Sequence, residues 1–185
     1  MAGQKGALLG NLVLRYVLLL LIPLLSFAFF NNFLAIFYFV FKPLTVWPVV
    51  LLLKLFYPIS FLGNYLTVSG FRLEIIDACI AGSAYFLLFI LNLTTANIPW
   101  KKRIKIFSFD AILLLAMNIV RIIVLAIIGL NMSSSSFDIT HKFFWYGIST
   151  IYVVFIWLLT VFIFKLREIP IYSDIKVLLY NIKHK

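Results

Sequence analysis

The chain has 185 residues, of which 64% are hydrophobic and only 12% charged, with a formal net charge of +10. Soluble domains carry about 45–50% apolar and about 25% charged residues, and a domain of this size cannot hide such an excess inside itself. The composition therefore excludes a water-soluble globular domain and requires lipid as solvent. The charge does not point to nucleic acid, because the basic residues sit in two clusters that flank apolar segments: Lys101, Lys102, Arg103 and Lys105, then Lys165, Arg167, Lys176, Lys183 and Lys185. That placement follows the positive-inside rule, with attraction to anionic lipid as a secondary effect.

Taken in chain order, the first apolar run covers 16–41 and is broken only by Pro23 and the Asn31–Asn32 pair. It follows Lys5 and Arg15, is longer than a signal-peptide core and lacks a small-residue cleavage site, so it reads as a retained helix. A second run, 44–62, contains Pro48, Lys54 and Pro58 and is the weakest span. It either crosses or lies in the outer interface. Next comes period-two alternation around Ser69-Gly70, with Phe71, Leu73 and Ile75 on one side and Arg72 and Glu74 on the other. This predicts a short β-hairpin or loop over 65–75. Three further spans follow at 75–98, 106–130 and 143–164, and 173–182 reads as an interfacial amphipathic helix. If the two basic clusters are cytoplasmic, the 131–140 connection lies outside, and so does the start of the 75–98 helix. Asn131-Met132-Ser133 in that connection matches a glycosylation sequon.

The expected fold is thus an all-α integral membrane protein, a bundle of about five to six transmembrane helices. A short extracytoplasmic β-hairpin or loop precedes the Cys79 helix. The whole of 1–185 forms a single multi-pass domain, with a basic cytoplasmic tail over 165–185.

Three residues stand out against this apolar background. Cys79 is the single cysteine, Arg121 interrupts a lipid-compatible helix, and His141 is one of two histidines, the other being His184 in the tail. A charge near the centre of a span costs roughly 2.5–3.5 kcal/mol on the insertion scale. Counting from the basic loop at ~1.5 Å per residue, Cys79 lies roughly 33 Å and Arg121 roughly 24 Å above the inner boundary. A long arginine side chain nearly covers the remaining distance, and His141 sits at the outer start of the last span. All three can converge in the outer leaflet. Asn118 shares a helix face with Arg121, and Ser83, four residues after Cys79, shares a face with it. Asp77 and Glu74 are placed to neutralise Arg121, and Asp138 to orient the His141 ring.

A thiol, an imidazole and a guanidinium at one depth are the parts of a cysteine-nucleophile site. Two other readings use the same residues: an anion transporter or channel subunit with Arg121 as binding site, and a non-catalytic assembly factor that binds membrane helices. Neither needs the thiol. One cysteine and two histidines at opposite faces do not make a common metal or haem ligand set, and there is no glycine-rich phosphate loop. No cofactor is expected.

At these residues the chain resembles the exosortase/archaeosortase family of multi-pass membrane cysteine enzymes. The resemblance rests on Ala78-Cys79-Ile80-Ala81-Gly82-Ser83, on Asn118-Ile119-Val120-Arg121 in the next helix, and on His141 after the following outer loop, and it spans 44–164. Ile80 and Ala81 stand between the cysteine and Gly82, a departure from the commonest family pattern. The resemblance implies cleavage of exported proteins at a C-terminal motif, transmembrane helix and basic tail. It also implies transfer of the new C-terminus to a lipid or other acceptor. The chemistry of the residues fits: Cys79 as nucleophile, His141 as proton carrier and Arg121 as charge stabiliser, with Asn118, Ser83, Asp77 and Asp138 in support by their spacing.

Overall fold

In a computed structural model, residues 17, 33–95, 98–131 and 134–166 are described. The interfacial helix expected at 173–182, most of the first apolar run and part of the sequon lie outside them. Apolar chain in lipid must satisfy its own backbone, and helices do so within one segment. The elements are α1 (Phe33–Lys54), β1 (Ile59–Leu62), β2 (Tyr65–Val68), β3 (Phe71–Glu74), α2 (Asp77–Ile80), α3 (Gly82–Thr94), α4 (Trp100–Asn131), α5 (Ser134–Phe143), a π-helical turn (Phe144–Ile148) and α6 (Ser149–Ile163). Among the described residues, two helices are long and apolar enough to cross a bilayer, Ala35–Lys54 and Trp100–Asn131, while α3 and α6 are shorter apolar helices.

Two boundaries differ from expectation. The break expected between the first two runs is absent, because α1 continues through Lys42-Pro43 and Pro48; prolines are tolerated where neighbouring helices and lipid enforce the helix. The second run then leaves the helix after Lys54 and ends as strand β1. The anticipated hairpin forms with the expected strands and turn, pairing Leu66 with Leu73 and Val68 with Phe71. β1 adds a third antiparallel strand, in the order β1-β2-β3. Leu66, Val68, Leu73 and Ile75 are buried, whereas Arg72 and Glu74 are exposed, as the alternation predicts. Arg72 lies 3.7 Å over the Tyr65 ring, and Lys42 donates to Asn64 at 2.8 Å, tying α1 to the sheet.

The basic loop has a structural role beyond topology. Arg103 donates to the carbonyls of Asn92, Leu93 and Thr95, closing the end of α3. Lys102 donates to Phe164 at 2.8 Å, closing the end of α6. Cations on orphaned C-terminal carbonyls are favourable. Because both helix ends meet the start of α4, α3 and α6 run in the same direction and α4 against them.

Two apolar clusters fill the bundle. One gathers Val46, Val49, Leu66, Ile75, Cys79, Ile80, Ile122 and Ala126 where the sheet meets the helices. The other gathers Tyr85, Leu88, Leu114, Val153, Ile156 and Trp157. Near the basic end, fully buried Asp110 accepts a hydrogen bond from the Thr160 hydroxyl, and its second oxygen has no partner. Thr160→Val removes the donor while keeping the shape. It is expected to lower stability by about 1–3 kcal/mol, whereas Asp110→Asn should change it by less, and thermal unfolding in detergent separates the two.

Candidate active site

The expected continuous helix over 75–98 is interrupted within Ala78-Cys79-Ile80-Ala81-Gly82. α2 is one turn long and ends at Ala81, which adopts a left-handed conformation with φ 57° and ψ 39°. For a residue with a Cβ that conformation costs roughly 1–2 kcal/mol. The chain then restarts as α3, with the Tyr38 ring packed so closely on Gly82 that a Cβ there would lie 2.7 Å from it. This close approach of α1 requires glycine.

A break in a buried helix leaves carbonyls without their usual donors. Here three consecutive ones, at Ala78, Cys79 and Ile80, are satisfied from α4. Arg121 Nη2 donates to Ala78 at 2.9 Å and to Cys79 at 2.8 Å, and Asn118 Nδ2 donates to Ile80 at 3.0 Å. Arg121 Nη1 donates at 2.9 Å to the Ser149 hydroxyl, which in turn donates to the Phe144 carbonyl at 2.8 Å. The Asn-x-x-Arg spacing thus presents two donors to one broken turn, and Arg121 links that turn to the start of α6.

Arg121 and Cys79 therefore do meet, through the guanidinium and the backbone carbonyl. Arg121 is 5% exposed and Cys79 4%. The thiol lies in the apolar cluster beneath the sheet. His141 is half-buried on α5, its ring stacked on Phe137 at 5.8 Å. Phe137 packs against the cluster that contains Cys79 and meets Phe71 edge-on at 5.4 Å. One aromatic ring therefore bridges the region of the thiol and the imidazole.

The supporting residues are placed differently from expectation. Ser83 is exposed and the break at Ala81 turns it away from Cys79, so the two share no face. Asp77 is exposed, and so is Glu74 on β3. Among the described residues the hydrogen bonds of Arg121 go to carbonyls and a hydroxyl, not to either carboxylate. The side chain of Asp138 lies outside the described residues. Sequence reasoning missed Ser149; a hydroxyl next to a glycine-containing apolar stretch was its only signal. It also missed the π-helical turn, which makes the segment carrying His141 continuous with α6.

With this geometry in view, comparison with known families is decisive. A family model, transmembrane exosortase, matches residues 2–164. The chain belongs to the transmembrane exosortase family. It is, by family, a membrane cysteine transpeptidase acting in protein sorting. Neither a search of curated proteins nor one of solved structures returned a match. The family match in this exosortase covers all three motifs singled out above and the sheet beside them.

Proposed function

We propose that this exosortase uses Cys79 to cut C-terminal sorting signals of exported proteins on the extracytoplasmic side, passing the new C-terminus to a lipid or another acceptor. The observation that carries the assignment is the pair of hydrogen bonds from Arg121 to the carbonyls of Ala78 and Cys79. A buried, costly cation is committed to the one turn that holds the chain's single cysteine. The positive charge of the basic loop and tail supports a cytoplasmic location for the other end of the bundle. In this reading the chain crosses the membrane about five to six times.

The chemistry follows from the groups present. The Cys79 thiol gives its proton to His141, and the thiolate sulfur bonds to the scissile carbonyl carbon. Arg121, fixed beside the turn, supplies positive charge for the developing anion. The C–N bond breaks, the proton on His141 goes to the leaving amine, and a thioester remains. An acceptor amine, hydroxyl or water then attacks that carbonyl, the C–S bond breaks, and the thiol recovers its proton through His141. Because Cys79 is buried, at 4% exposure, substrate binding must shift the sheet or the Cys79 turn before attack. Such gating steps accompany many enzymes that shield an intermediate from water.

The test is co-expression with a substrate bearing a C-terminal motif, transmembrane helix and basic tail. Wild type is compared with Cys79→Ala at matched membrane levels. Processing should fall to background in the variant. Processing that survives loss of the thiol would overturn the assignment and favour the helix-binding or anion-binding readings.

A further inference from the structure

Beside Arg121, between α3 and α6, lies a cavity of about 470 Å³. Its walls include Ala78 and Ala81, which flank Cys79 in the chain, but the thiol itself faces the apolar cluster. The two helices line it in the same sequence. On α3, Ser83 and Ala84 come first and Leu87 one turn deeper; on α6, Ser149 and Thr150 come first and Val153 and Val154 one turn deeper. Because α3 and α6 run in the same direction, the hydroxyls gather at one end of the cavity and the aliphatic side chains at the other, separated by roughly 6 Å.

Arg121 lies at the hydroxyl end. It is a buried cation with no carboxylate partner among the described residues, and its three hydrogen bonds leave donors uncommitted, since a guanidinium carries five. An unpaired cation at membrane depth is expensive, and an anion on it would form charge-assisted bonds. A space that is cationic and hydroxylated at one end and aliphatic at the other matches an amphiphile.

We infer that this cavity binds one membrane phospholipid, its phosphate on Arg121 and the Ser83 hydroxyl, and a hydrocarbon chain along Leu87, Val153 and Val154. Use of that lipid as transfer acceptor rests on the proposed function; its binding does not.

The experiment reads binding without turnover, in wild type and in Cys79→Ala purified in detergent. Dioleoyl phosphatidylglycerol, dioleoylglycerol with the same chains but no phosphate, and inorganic phosphate are compared by native mass spectrometry and by thermal unfolding. Both proteins should retain one phosphatidylglycerol per chain and melt at higher temperature with it. Leu87→Trp, at an exposed lining position, should lower retention at least tenfold by filling the aliphatic end. Ser83→Ala, which removes no bond within the protein described here, should weaken preference for the phosphate-bearing lipid several-fold. Equal retention of dioleoylglycerol, or retention indifferent to Leu87→Trp, would show only lipid around the protein and overturn the site. An equal stabilisation by inorganic phosphate, or displacement of the lipid by a synthetic transmembrane peptide, would overturn it in favour of a free anion or a helix.

Discussion

Replacing Arg121 should disable the enzyme and loosen its fold together. Arg121→Ala removes both donors from the Ala78 and Cys79 carbonyls and the link to Ser149. Each buried acceptor left without a donor costs about 1–3 kcal/mol, while removing a desolvated charge returns part of that. A net loss of about 2–4 kcal/mol is expected by thermal unfolding in detergent. Processing should fall by at least about 10²-fold, as when one electrostatic stabiliser is lost from an active site. Arg121→Lys is the sharper variant. An ammonium keeps the charge but lacks the planar fork that reaches a hydroxyl on one nitrogen and two carbonyls on the other. It should recover less than half of the lost stability and little of the activity. Full activity in Arg121→Lys would mean that charge alone matters and that the geometry of the broken turn is incidental.

Much of this arrangement was readable in the sequence, for identifiable reasons. Period-two alternation gave β2 and β3 because one face of the sheet is buried and the other wet. The meeting of Arg121 with the Cys79 turn followed from counting helical rise along two spans joined by a basic loop. The break at Ala81 did not follow from sequence. It depends on the Tyr38 ring, more than forty positions away, and on donors from Asn118 and Arg121, a further forty positions on. Nothing local in Ile80-Ala81-Gly82 distinguishes a left-handed alanine from one more helical residue. The expectation that Ser83 shares the Cys79 face failed for the same reason, since it assumed unbroken helical spacing. The division of the apolar chain into runs ending at 41 and starting at 44 failed in the opposite sense: the helix continues through Lys42-Pro43, held by packing of α1 against α3 and α4.

Gly129 should prove as intolerant of substitution as the charged residues, although it carries no chemistry. A Cβ at this position would stand 2.2 Å from the Phe71 ring. Both residues are fixed: Gly129 is buried within α4, and Phe71 begins β3 and packs against the apolar cluster. Gly129→Ala must displace the ring, at an overpacking cost of about 1–3 kcal/mol, and Gly129→Val should cost more. The displacement would spread along two routes. β3 runs into the Cys79 turn, and Phe71 meets Phe137, on which His141 stacks. Processing should therefore fall more steeply than stability alone explains, while the bonds of Arg121 to the turn remain. Shrinking the ring tests this directly. Phe71→Leu in the Gly129→Ala background should recover most of the lost melting temperature and activity, with a coupling energy of about 1–2 kcal/mol between the two positions. Additive losses would mean that the ring and the helix do not press on one another, and that the sheet is seated over Cys79 by other contacts.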